Sequence, residues 1–189
     1  GTSIDATDSY DRTALMWACW AGQTDVAKSL CDAGAALELR ADGWTALRHA
    51  VVRGHVALAK VLLACGAKPE SAVDWAASYG PRAMLELLLR HGARADVDLL
   101  IAAVKSARVG LVRCVLDAGA AIDARPAAKR DEKVGRTAIE VAVSWGLEGV
   151  LFFLLERGAD PTHVAVTFRD ERSEAHDFLE MAIAARKRR

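Results

Sequence analysis

G-W-T-A-L-R-H-A-V-V-R-G-H-V-A-L-A-K-V-L-L-A-C-G-A, residues 43–67, is the stretch from which the rest of the chain can be read. The Thr45 hydroxyl can accept a bond from an otherwise unpaired N–H of a first helical turn, so Thr45 reads as an N-cap. A short helix then runs through Val52 and stops at Gly54. A second helix, from Val56 to Ala64, carries Val56, Leu58, Val61, Leu62 and Leu63 at mixed three- and four-residue spacings, which makes one apolar face. Gly66 ends it in the left-handed conformation that glycine adopts cheaply. Two helices this short bury too little apolar surface alone, so the unit needs copies of itself to stack against.

The copies are present. Thr13-Ala14-Leu15 and Gly34-Ala35 precede the stretch by 32 residues, and Thr137-Ala138-Ile139 with Gly158-Ala159 echo it later. Gly22, Gly54, Gly80 and Gly146 each stand 12 residues before a Gly-Ala pair. A further unit from Asp98 to Ala120 has Ala107 at the position of the middle glycine. In its period and its helix openings, the chain resembles the ankyrin-repeat family over residues 8–162. The resemblance implies an all-α solenoid of stacked helix-turn-helix units with β-hairpin or loop fingers. It implies one domain over 1–189, with repeats at 8–39, 40–70, 71–96, 97–123 and 132–162 and a capping helix at 173–189.

The departures from the family pattern are specific. The proline of its Thr-Pro-Leu-His opening is Ala or Leu here, and the histidine is Met16, Arg48, Asp74, Ile101 and Glu140 in turn. The usual inter-repeat bonds of that histidine are therefore expected to be absent or replaced. The chain has no asparagine, and the family's hairpin Asn position holds Glu, Asp or Thr.

Composition fits a globular chain, at 52% hydrophobic and 26% charged residues. A net charge of zero argues against a general polyanion binder. No apolar run is long enough to span a membrane, and no signal peptide is visible. Cys19, Cys31, Cys65 and Cys114 lack metal-like spacing and read as small packing residues in a reducing compartment. Gly1-Thr2-Ser3 reads as a cloning remnant, and the first repeat lacks a polar outer face, so the native chain is expected to continue upstream. A monomer is expected unless that face self-associates. A cytoplasmic location is expected, with Arg186-Lys187-Arg188-Arg189 a possible nuclear-import run.

The connections between repeats are uneven. Residues 35–44 suit a projecting hairpin, 67–70 and 93–97 are too short for one, and 120–136 and 159–176 suit an enlarged finger or loop. Arg125, Lys129, Arg130 and Lys133 in the first enlarged loop read as a solvated tip or as a dock for an acidic partner. Val164, Val166 and Phe168 alternate as in a short strand.

Catalytic signals are missing. No phosphate-binding glycine loop, dinucleotide fingerprint, H-E-x-x-H or G-x-S-x-G occurs. His49, His55, His91, His163 and His176 are scattered. His55 reads as structural, and carboxylates are spread over caps and exposed faces. The expectation is no enzyme, no cofactor and no metal.

Function must then come from the surface. In the family, partners usually meet the hairpin tips and the ends of the first helices on the concave side. Carried over residue by residue, those positions include Tyr10, Arg12, Trp20, Trp44, Arg53, Tyr79, Lys105, Arg136 and Trp145 as candidate partner-binding residues. Tyr10, Trp20 and Trp44 with Arg12 and Arg53 form the densest patch, whereas Trp17 and Trp75 read as inward packing residues. Trp20 and Trp44 can alternatively pack against the neighbouring hairpin.

The leading reading is a non-catalytic protein–protein interaction module that binds a peptide or folded partner. One alternative is a small-ligand or nucleic-acid reader using the aromatic–arginine patch, a version that neutral net charge disfavours. The other is a regulatory or targeting segment of a larger enzyme. No membrane partner is expected.

Overall fold

The structure is a computed structural model that describes residues 3–127, 135–162, 164, 179–180 and 183–184. It divides into two compact units, Gly1–Arg94 and Ala95–Arg189. The first holds three helix pairs: α1 (Ala14–Ala21) with α2 (Thr24–Asp32), α3 (Ala46–Val52) with α4 (Val56–Ala64), and α5 (Val73–Ser78) with α6 (Arg82–Arg90). The second holds α7 (Val97–Lys105) with α8 (Val109–Asp117), and α9 (Ala138–Ser144) with α10 (Glu148–Glu156).

Helix starts follow from hydroxyl and carboxylate caps. Thr13, Thr45 and Thr137 each accept the N–H three residues on, at 3.2–3.4 Å. The third repeat has Ala72 before α5 and no side-chain cap; a 3-10 turn, Pro69–Ser71, leads into the helix instead. In the fourth repeat the cap is Asp96, whose carboxylate accepts from Leu99 N at 2.9 Å. The expected start at Asp98 is thus two residues late, because Asp98 already lies inside α7. Gly66 (φ 99°) takes the left-handed turn expected of it, and Gly54 (φ 75°) and Ala107 (φ 58°) are left-handed as well. Gly80 does not, and is needed for a different reason: a Cβ there would stand 2.8 Å from the Ala76 backbone.

Within each unit first helices pack on first helices and second on second: α1 on α3, α3 on α5, α2 on α4, α4 on α6, then α7 on α9 and α8 on α10. The core between them is aliphatic, and Leu47, Leu58, Leu62, Met84, Leu85 and Leu88 are fully buried in the first unit. Polar bonds tie neighbouring repeats together at their edges. Asp5 accepts from Ala36 N at 2.9 Å, Glu38 from Lys68 N at 2.8 Å and Asp123 from Asp160 N at 3.0 Å. Glu38 and Asp123 are the acidic residues at the family's Asn position, and each uses its carboxylate to hold the next repeat's backbone. His55 fits as a structural residue: a Cβ on Gly22 would stand 2.7 Å from its ring.

The histidine-replacing residues divide by repeat. Arg48 bonds Ser71 O at 3.1 Å and Asp74 at 3.3 Å, so two successive repeats pair opposite charges at the same position. Glu140 is fully buried, closes a capping box with Thr137 and receives both Arg125 terminal nitrogens at 2.9 and 3.0 Å. One expectation is corrected here. Arg125 is not part of a solvated tip but an anchor that also bonds Gly135 O at 3.0 Å. The rest of that charge run, Lys129 to Lys133, lies outside the described residues.

Among the described residues, strand-like pairing is limited to bridges Thr7–Thr13 and Ala41–Trp44, which close the first two turns. Val164 is helical and buried, which corrects the strand expected from Val164 onward; Val166 and Phe168 lie outside the described residues. Of the capping helix, Leu179, Glu180, Ile183 and Ala184 are helical, and Leu179 is buried. All four thiols are free, and they differ. Burial pushes the Cys19 thiol up to about 12, and burial with a Cys65 hydrogen bond pushes Cys31 up to about 11. Cys65 is exposed, so the packing role expected for all four does not extend to it.

Candidate functional site

The turn before α1 is organised by one carboxylate. Asp8 accepts the N–H groups of Tyr10 (2.8 Å) and Arg12 (3.0 Å) and the indole N–H of Trp17 (2.9 Å). These bonds to the charged form, Arg12's backbone first, hold the Asp8 carboxyl below its ordinary range. The same turn sets the Arg12 guanidinium 5.0 Å from both the Tyr10 and the Trp17 ring centres. Trp17 meets Trp20 edge-on at 5.9 Å, and Arg53 of the next repeat stands over Trp20 at 4.8 Å.

Trp17 is therefore not the inward packing residue expected, since it is 41% exposed and belongs to the surface run. The short α1 turns Leu15, Met16, Ala18 and Cys19 into the core and leaves Trp17 and Trp20 on the other side. Trp75 is half-buried and also joins the run, 6.3 Å from Trp44 and 4.7 Å from Tyr79. Trp44 is half-buried, with Arg48 at 5.5 Å and His49 at 5.3 Å. Tyr79 is 71% exposed.

Arg12, Trp20, Trp44 and Arg53 line one groove of about 340 Å³, together with Asp42 and His49. Both His49 ring nitrogens are shielded from solvent and lack a partner among the described residues. Burial lowers the His49 pKa, and the Arg12 charge lowers it further, so the imidazole is held neutral. His49 and the aromatic neighbours Trp17 and Trp75 are what the sequence reading missed. Their spacing offered a signal, since all three lie on first helices, but spacing alone does not say which edge of so short a helix faces solvent.

The remaining candidates are in the second unit. Lys105, Arg136 and Trp145 line a groove of about 460 Å³ with Asp98 and Pro126, and Lys105 Nζ stands 5.8 Å from the Trp145 ring centre. The first-unit groove gathers aromatic faces with cations already upon them and offers guanidinium donors beside apolar area. A stacked base or a methylated ammonium would compete with Arg12 and Arg53 for the faces they cover on Tyr10, Trp17 and Trp20. Among the described residues, no group of three or more His, Cys, Asp or Glu could hold a metal ion, and no helix is long and apolar enough to cross a membrane.

Comparisons with known proteins agree with this architecture. The family described as "Ankyrin repeats (3 copies)" matches residues 1–73 and 73–165. The ankyrin repeat protein nuc-2 of Neurospora crassa is 33% identical over 176 residues, 85% of this chain. The match spans only 16% of the length of that relative. The crystal structure of the human ASB11 ankyrin repeat domain superposes with a TM-score of 0.69 at 24% identity, covering 90% of this chain and 84% of that one. At that identity the likeness speaks for the fold. The chain belongs to the ankyrin-repeat family.

Proposed function

We propose that this chain is a non-catalytic protein-interaction module whose recognition surface is the aromatic–arginine groove of the first unit. Ankyrin repeats are generally protein–protein interaction modules and are typically non-enzymatic. The observation that carries the finer reading is the run Tyr10–Trp17–Trp20 with Trp44–Trp75–Tyr79, built from three successive repeats and interleaved with Arg12, Arg48 and Arg53. Aromatic and arginine side chains dominate interface hot spots because they bury much area at little entropic cost. At the first repeat the Asp8 bonds fix the Trp17 ring and the Tyr10–Arg12 backbone in advance, which reduces the entropy lost on binding there. The alternative of a base or methylammonium reader is less well supported, because the chain's own arginines occupy the ring faces such ligands need.

The test is recovery of partners from the source cell's lysate by the parent chain and by Trp20→Ala/Trp44→Ala. The double variant is expected to lose the partners while keeping its helical circular dichroism and nearly its melting midpoint. Equal recovery by both chains would contradict the assignment. A large drop in melting temperature would mark the two rings as packing residues.

A further inference from the structure

Resting on that assignment of the recognition surface, the charge pattern within the groove bears on what it recognises. Four other arginines of the chain already hold carboxylates: Arg48 with Asp74, Arg82 with Glu86, Arg125 with Glu140, and Arg157 with Asp117. Arg12 and Arg53 have no ion pair or side-chain hydrogen bond among the described residues, although the Asp8 carboxylate, engaged with the N–H groups of Tyr10, Arg12 and Trp17, also feels the Arg12 charge. Each is held over rings instead, at 5.0 Å from Tyr10 and Trp17 and at 4.8 Å from Trp20. A guanidinium held by ring attraction keeps its fork of N–H donors for a planar acceptor.

The groove's lining carries two guanidinium groups and one carboxylate, Asp42. It is positive by one charge, and His49 adds none while neutral. At about 340 Å³ the groove is at the small end for ligand pockets, a size suited to side chains from a chain crossing it. Rings from three successive repeats make a track that an extended segment can follow at ~3.3–3.6 Å per residue. Asp42 also discriminates among anions, because its repulsion grows with the ligand's charge and a phosphate brings nearly twice that of a carboxylate.

We propose that the occupant is an extended peptide segment whose unphosphorylated Asp or Glu carboxylate pairs with Arg12 and Arg53 while an adjacent apolar side chain lies against Trp20 and Trp44. The carboxylate supplies the acceptor that these two arginines lack. The rings supply apolar area that the segment covers on binding, beside which a bidentate pair is strong. Asp42 at the rim sets a limit on the charge that can enter.

The experiment pans a phage-displayed library of random linear peptides on the intact chain and, in parallel, on Trp20→Ala/Trp44→Ala. Peptides retained only by the parent are synthesised and titrated by fluorescence anisotropy. They are expected to be enriched in Asp or Glu, and Arg12→Gln or Arg53→Gln to weaken them about tenfold, as for one charge-assisted pair. Changing the peptide's Glu to Gln should weaken binding as much, with no further loss when both changes are combined. Asp42→Asn should tighten binding. Circular dichroism of each variant separates loss of binding from loss of fold.

Selection of neutral or basic peptides, or tighter binding of a phosphoserine version than of its glutamate counterpart, would overturn the proposal while leaving the recognition surface in place. Peptides bound equally by the tryptophan double variant would overturn the surface assignment itself. Selection of no peptide would overturn the extended-segment occupant.

Discussion

The two grooves use similar chemistry and are built differently. Each sets a cation over a tryptophan: Arg53 over Trp20 at 4.8 Å in the first unit, Lys105 over Trp145 at 5.8 Å in the second. The walls of the first groove come from the repeats themselves: Arg12 in the turn before α1, Trp20 on α1, the tight turn 41–44, and α3 with its C-cap Arg53. The second is walled partly by the long connection before α9, through Pro126, Ala127, Gly135 and Arg136. That wall is fixed by Arg125, which reaches from the connection to the buried Glu140 and to Gly135 O. A surface made by repeat packing inherits the rigidity of the core, whereas one made by a connection depends on its anchor.

Breaking the frame of the first groove should have the largest effect. Leu62 and Leu88 are fully buried, and Leu62→Ala or Leu88→Ala should cost ~2–5 kcal/mol, read from denaturant unfolding. Unchanged stability would mean that the repeats do not pack through these residues. The anchor of the second groove comes next. Arg125→Ala strands a buried carboxylate and should cost ~3 kcal/mol, at the lower end for a buried pair because Arg125 keeps part of its hydration. Since Glu140 is fully buried, Arg125→Ala/Glu140→Gln should recover part of that loss. Equal unfolding midpoints for the parent and Arg125→Ala would contradict the anchor role.

The arginine-bonded and arginine-stacked parts of the sequence were not equally legible. Residues 43–67 could be read almost to the residue: Thr45 caps, Gly54 turns, α4 runs Val56–Ala64 and Gly66 ends it. Local chemistry decides each of these. The fourth repeat offered two acidic residues, Asp96 and Asp98, and only the backbone path shows that the first is the cap. The Arg125–Glu140 pair joins a connection to a helix 15 residues later, and no periodicity announces it. Trp17 looked inward because it sits beside Met16 and Ala18, yet its indole N–H finds Asp8 nine residues earlier. The repeat register carries each position forward, which is why Arg12, Trp20, Trp44 and Arg53 arrive in one groove.

The smallest expected effect sharpens the same comparison through pH. The pKa of His49 is lowered from 6.5, first by burial and then by Arg12. The unfolded chain then binds a proton that the folded chain resists, so the contribution of His49 to stability is complete above pH 6.5 and is lost as pH falls toward the lowered value. His49→Gln should flatten this part of the melting-temperature profile, and Arg12→Gln should flatten it less. A profile unchanged in His49→Gln would mean that the groove does not hold the imidazole neutral.

The most direct test of the account is a side-by-side partner-binding titration of the parent, Trp20→Ala/Trp44→Ala and Trp145→Ala, using whatever partner or peptide the parent retains. If the first-unit groove is the recognition surface, the double variant loses ~2 kcal/mol or more of binding free energy per anchor and Trp145→Ala binds as the parent does. The reverse order, with Trp145→Ala impaired and the double variant unaffected, would place recognition in the second unit and contradict the account.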